Sequence, residues 1–143
     1  MKSLVMMQME YQIDLVIDTS ALVAIILNEP DAPQFFERIL NAKKPVLSAV
    51  GKVETLMVIL ARGQNLGRDS FDFTLKTLGV GIAVIDDFLA ELAVKFFLNY
   101  GKGRHKAQLN FGDCFSYALA KQLNVPLLFK GNDFSQTGVM IAL

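Results

Sequence analysis

Apolar residues along the chain fall into two kinds of run that take turns. Short, mostly apolar runs at residues 13–17, 45–49, 81–85 and 126–129 read as buried strands. Between them, apolar positions recur at three- and four-residue spacing, the mark of helices with one face inward. Such stretches cover residues 20–27, 31–41, 51–62, 69–78, 87–100 and 113–122. Within them the inward faces are read as Phe35, Phe36, Ile39 and Leu40, then Val53, Leu56, Met57 and Leu60, then Phe71, Leu75 and Leu78. Asp18 or Thr19 is available to cap the first helix, Asn28-Glu29-Pro30 ends it, and Gly63 stops the third. Val139-Met140-Ile141 is read as an edge strand.

Strands that alternate with helices imply a parallel sheet with helices on both faces. The expected fold is therefore α/β, three layers deep, around a central parallel sheet of four to five strands. With no repeat, linker or low-complexity tract, residues 1–143 are read as a single domain. In such sheets the functional crevice lies beyond the carboxyl ends of the strands, at the point where the strand order reverses.

Four carboxylates fall where that crevice should be. Asp18 closes the first strand, Asp113 opens a helix, Asp133 follows the fourth strand, and Glu54 lies in the first turns of the helix after the second strand. Each has an ordinary use: Asp18 and Asp113 as helix caps, Asp133 in a Gly-Asn-Asp turn, Glu54 as a solvated helix residue. Gathered together they repel one another, and a bound divalent cation relieves that repulsion. Hard oxygens without nearby Cys or His select Mg²⁺ or Mn²⁺, ions that polarise a phosphodiester and acidify bound water.

Charge and composition narrow the setting. Lys plus Arg and Asp plus Glu balance at 14 each, so no global basic field attracts nucleic acid, and any polyanion must be held by a local patch or by metal. The concentrated basic segment is the loop at 101–110, with Lys102, Arg104, His105 and Lys106. One Cys excludes an intrachain disulfide, and with a single His it argues against a soft-metal site. The apolar stretch at 15–27 is broken by Asp18, Thr19 and Ser20, and no apolar run of signal-peptide length precedes Glu10. A cytoplasmic protein that does not enter a membrane is expected. A hydrophobic fraction of 52% hints at surface covered by a partner.

Three blocks carry a resemblance. Val16-Ile17-Asp18-Thr19-Ser20-Ala21, Asn110-Phe111-Gly112-Asp113-Cys114-Phe115-Ser116-Tyr117-Ala118 and Leu127-Leu128-Phe129-Lys130-Gly131-Asn132-Asp133-Phe134 are similar to the signature blocks of PIN-domain ribonucleases. The similarity is strongest to the VapC toxin branch of type II toxin–antitoxin systems, and it runs in order over nearly the whole chain. It implies a Mg²⁺- or Mn²⁺-dependent endoribonuclease, usually a homodimer, silenced by a cognate VapB-type antitoxin and leaving a 5′-phosphate and a 3′-hydroxyl. It places the acidic roles on Asp18, Glu54, Asp113 and Asp133. Relatives carry two adjacent Asp residues where this chain has Asn132 then Asp133, so Asn132 is assigned a supporting place beside the metal. Thr19 or Ser20 supplies the hydroxyl that assists the first Asp, and the basic loop is a candidate RNA contact.

Rival classes fit less well. A haloacid-dehalogenase-like phosphatase needs a second Asp two residues after the first, where this chain has Ser20. A response-regulator receiver needs an acidic pair at the end of the first strand, whereas Asp86-Asp87 follow the third. The alternative within the fold is a catalytically degenerate binding module acting through protein contacts, favoured only by Asn132.

Overall fold

The computed structural model describes residues 12–62 and 67–143. The expectations resting on Gly63 and on the segment before Glu10 lie outside those residues. Four parallel strands, β1 (Leu15–Ile17), β2 (Pro45–Ser48), β3 (Gly81–Ala83) and β4 (Leu127–Leu128), lie in the order β3-β2-β1-β4. In register, Val16 pairs with Val46 on one side and Leu127 on the other.

Because side chains alternate along a strand, the sheet divides the core in two. Val16, Val46 and Leu127 face a cluster that includes Leu89 and Ala93 of α5 (Asp87–Tyr100) and Tyr117 and Ala118 of α6 (Phe111–Leu123). Leu15, Ile17, Leu47 and Leu128 face the other cluster. There they meet α1 (Thr19–Ile26), α2 (Ala32–Leu40), α3 (Ala49–Arg62) and α4 (Arg68–Leu78). The result is the expected three-layer α/β/α arrangement. Among the described residues no helix is long and apolar enough to cross a membrane.

The helices stand where periodicity placed them, but two inward faces differ. On α3 the buried residues are Gly51, Thr55 and Ile59, while Val53, Met57 and Leu60 are exposed, Met57 by 66%. That helix carries apolar residues on more than one side. Periodicity then gives the element but not its phase, and the small Gly51 and Thr55 are the ones that sit closest to the sheet. On α2, Phe35 and Ile39 are buried whereas Phe36 and Leu40 face outward. The expected edge strand at 139–141 contributes one parallel bridge, Ile141 beside Leu127, rather than a strand. Helix α6 begins at Phe111, capped by Asn110, so Asp113 lies inside its first turn instead of opening it.

Strand order reverses between β1 and β4, and their carboxyl ends carry Asp18 and the turn leading to Asp133. This is the place where open α/β sheets form a crevice.

Candidate active site

Asp18 leaves β1 with its backbone N–H donating to the Leu128 carbonyl at 2.8 Å, which fixes it against β4. It also caps α1, so its ordinary and its functional readings coincide. Oδ2 accepts from the Ser20 backbone N–H at 3.1 Å and from the Ser20 hydroxyl at 2.7 Å. Oδ1 accepts from the Ser116 hydroxyl at 2.6 Å, reaching across from α6. Only 3% of Asp18 is exposed. Ser20 in turn accepts from the Lys130 backbone N–H at 3.0 Å, tying the loop after β4 to the same carboxylate.

Glu54 is half-buried on the outer side of α3 and reaches over Gly112. Its carboxylate occupies the space that a Cβ at position 112 would fill, so any larger residue there collides with both oxygens. Burial raises the Glu54 pKa, a hydrogen bond with Thr19 works the other way, and the charge of Asp18 raises it further. The Thr19 hydroxyl also lies 3.4 Å from the Gly51 carbonyl, a long O–H···O bond.

Asp113 is held by a reciprocal cap. Its Oδ2 accepts from the Asn110 N–H at 3.0 Å, while its own N–H donates to Asn110 Oδ1 at 2.9 Å. Although it sits at the positive end of a helix, its pKa is pushed up to about 7. Burial is the largest cause, followed by Asp18; the Asn110 bond opposes them, and Asp133 and Glu54 add to the rise. Asp133 is exposed and begins a 3₁₀ turn (Phe134–Gln136) without capping it, so its carboxylate is not consumed by the local hydrogen bonding expected of a turn Asp. Gly131, at φ 97°, makes the turn that delivers it. The neighbouring Asn132 is exposed, and its carbonyl accepts from the Ser135 N–H and hydroxyl.

All four acidic residues singled out in the sequence therefore act on Asp113 or are Asp113 itself. Among the described residues, no three carboxylate, histidine or cysteine side chains are gathered closely enough to hold an ion as they stand. The donor set nevertheless fits a hard divalent cation: it is all oxygen, and a cation would offset both the burial and the repulsion that raise Asp113. Cys114, buried beside it, is pushed up to about 11 by burial and by the Asp113 charge, which makes it inert as a nucleophile.

In the basic loop, Lys102, Arg104 and Lys106 are exposed, and the Arg104 guanidinium lies 5.5 Å from the Phe97 ring centre. His105 is half-buried, edge-on to Tyr100, with Nδ1 accepting from the Ala107 N–H at 3.0 Å. That bond shapes the loop. Lys130 is engaged away from any phosphate, its Nζ 3.3 Å from Glu29 and from Asp31. Sequence reasoning missed Gly112 and Ser116. Ser116 was detectable as the one hydroxyl three residues beyond Asp113, on the same side of the helix.

Residues 15–140 match the family described as PIN domain. The chain is 44% identical over 125 residues to a ribonuclease VapC of Mycolicibacterium smegmatis, covering 87% of this chain and 97% of that protein. Among solved structures it resembles Mycobacterium tuberculosis VapC20, described as a sarcin-ricin loop cleaving toxin. The TM-score is 0.70 and the identity 18%, over 89% of this chain and 97% of that one. It also resembles a toxin–antitoxin complex from Klebsiella pneumoniae, with a TM-score of 0.69 at 19% identity over 90% and 96% of the two chains. At such identities these structures speak for the fold, while the VapC relative speaks for the family.

Proposed function

The chain belongs to the PIN-domain family, in company with VapC ribonucleases, and from that premise we propose that it is a metal-dependent endoribonuclease, the toxin of a VapBC-type pair. The observation that carries this reading is the convergence of Asp18, Glu54 and Asp133 on Asp113, whose carboxyl burial first and then their charges push up to about 7. A site built of mutually repelling carboxylates is costly unless a cation is to be held there.

Asp18, Asp113 and Asp133 would hold one or two Mg²⁺ or Mn²⁺ ions, with Asn132 beside them. A bound ion polarises the phosphodiester and acidifies a water in this setting. Glu54, made more basic by burial, orients the attacking water and takes its proton on a carboxylate oxygen. Thr19 steadies Glu54, and Ser20 steadies Asp18. Lys102, Arg104, His105 and Lys106 contact RNA phosphates upstream of α6. A cytoplasmic setting goes with this reading, in line with the single Cys114.

The same reading supplies two protein partners, a VapB-like antitoxin and a second copy of the chain. Support for the antitoxin is the likeness to a solved toxin–antitoxin complex. Support for a homodimer is the outward apolar face of α3, α5 and the start of α6. There Val53, Met57 and Phe111 are exposed, Phe111 by 72%, beside a groove of about 700 Å³, and Val94 and Leu98 are exposed on α5.

Antitoxin-free protein incubated with a labelled RNA pool in Mg²⁺ or Mn²⁺ should cut it, and purified Asp18→Asn should not. Undiminished cleavage by that variant would overturn the assignment.

A further inference from the structure

Asp18 offers a carboxylate about four acceptor positions. Three are occupied. The Ser20 N–H and hydroxyl take both positions on Oδ2, at 3.1 and 2.7 Å, and the Ser116 hydroxyl takes one on Oδ1 at 2.6 Å. One position on Oδ1 is left. The two sets of donors differ in origin. Ser20 belongs to the helix that Asp18 itself caps, so its bonds are local and would form whatever stood across the crevice. Ser116 comes from α6, 98 residues away, and is 3% exposed in an otherwise apolar stretch of the helix.

Ser116 also follows Asp113 by three residues, so the two side chains leave the same side of α6. One of them bonds Asp18 while the other is repelled by it. The short hydroxyl bond is thus a strut between β1 and α6: it holds the two acidic residues close despite the charge between them and stops the Asp18 carboxylate from rotating.

We infer that Ser116 is a positioning residue for the metal site. It fixes Asp18 so that the remaining position on Oδ1 serves a divalent cation, and it sets the separation of Asp18 from Asp113. This inference rests on the proposed function. Groups that orient metal ligands in this way typically contribute about 10- to 100-fold in metal affinity when removed.

The test is calorimetric titration of Mn²⁺ into the wild-type protein, Ser116→Ala and Ser116→Thr, with thermal melts of each metal-free protein alongside. Ser116→Ala should weaken Mn²⁺ binding about 10-fold or more, alongside only the modest fall in metal-free melting temperature that loss of one buried hydrogen bond brings. Excess Mn²⁺ should restore RNA cleavage by this variant, and Ser116→Thr, which keeps the hydroxyl, should bind close to wild type. Unchanged Mn²⁺ affinity in Ser116→Ala overturns the positioning role while leaving the ribonuclease reading intact. So does a loss of metal-free stability in Ser116→Ala that Ser116→Thr repairs without any change in affinity. No Mn²⁺ binding by the wild-type protein would sink both.

Discussion

Asp18 caps a helix and is proposed as an acidic site residue, and one substitution separates the two duties. Asn caps a helix about as well as Asp, so Asp18→Asn should keep α1 and the melting temperature while abolishing cleavage. Asp113 gives a second handle. Its carboxyl keeps a proton up to about 7 in the folded protein, against 3.8 without the fold. Between those values the native state binds more protons than the unfolded chain, so stability falls as pH rises. Glu54, also raised, acts in the same direction. The metal-free protein should melt lower at pH 8 than at pH 5.5, by an amount on the order of several degrees, and saturating Mn²⁺ should shrink the difference. A melting temperature that rises over that interval would contradict the crowding of carboxylates. Gly112→Ala should displace the Glu54 carboxylate and cut kcat, because its Cβ would fall where those oxygens lie.

At the scale of elements, the cap on α6 ties Asp113, a residue of the proposed site, into the helix start. Asn110→Ala removes one arm of the reciprocal bond with Asp113 and should cost about 1 kcal/mol in a denaturant titration. The strands and helices were legible because short apolar runs and three- and four-residue spacing have different causes. The face of α3 was not. Val53, Met57 and Leu60 keep helical spacing as faithfully as Gly51, Thr55 and Ile59 do, and only the fold decides which set meets the sheet. Asp18, Glu54, Asp113 and Asp133 were legible as carboxylates at strand ends and helix starts. Ser116 was not singled out, because its meaning depends on a contact 98 residues distant. The cap of α6 was misplaced by the same limitation: Asn110 ended a polar loop and gave no sign that it began a helix.

Over the whole molecule, sheet order and surface divide the labour. Asp18 and the turn leading to Asp133 sit at the reversal between β1 and β4, and α3 and the first turn of α6, which carry Glu54 and Asp113, also leave apolar side chains outward. If a second copy covers that face, Val94→Asp, at an exposed position, should give a folded monomer by sedimentation; a dimer that persists would place the interface elsewhere. On this reading RNA cleavage depends on a divalent ion held by these carboxylates. The most direct test is cleavage of a labelled RNA pool by antitoxin-free protein in Mn²⁺, then in EDTA, then with Mn²⁺ restored. Cleavage that stops with the chelator and returns with the metal is the predicted result. Cleavage that continues in EDTA at the same rate would contradict it.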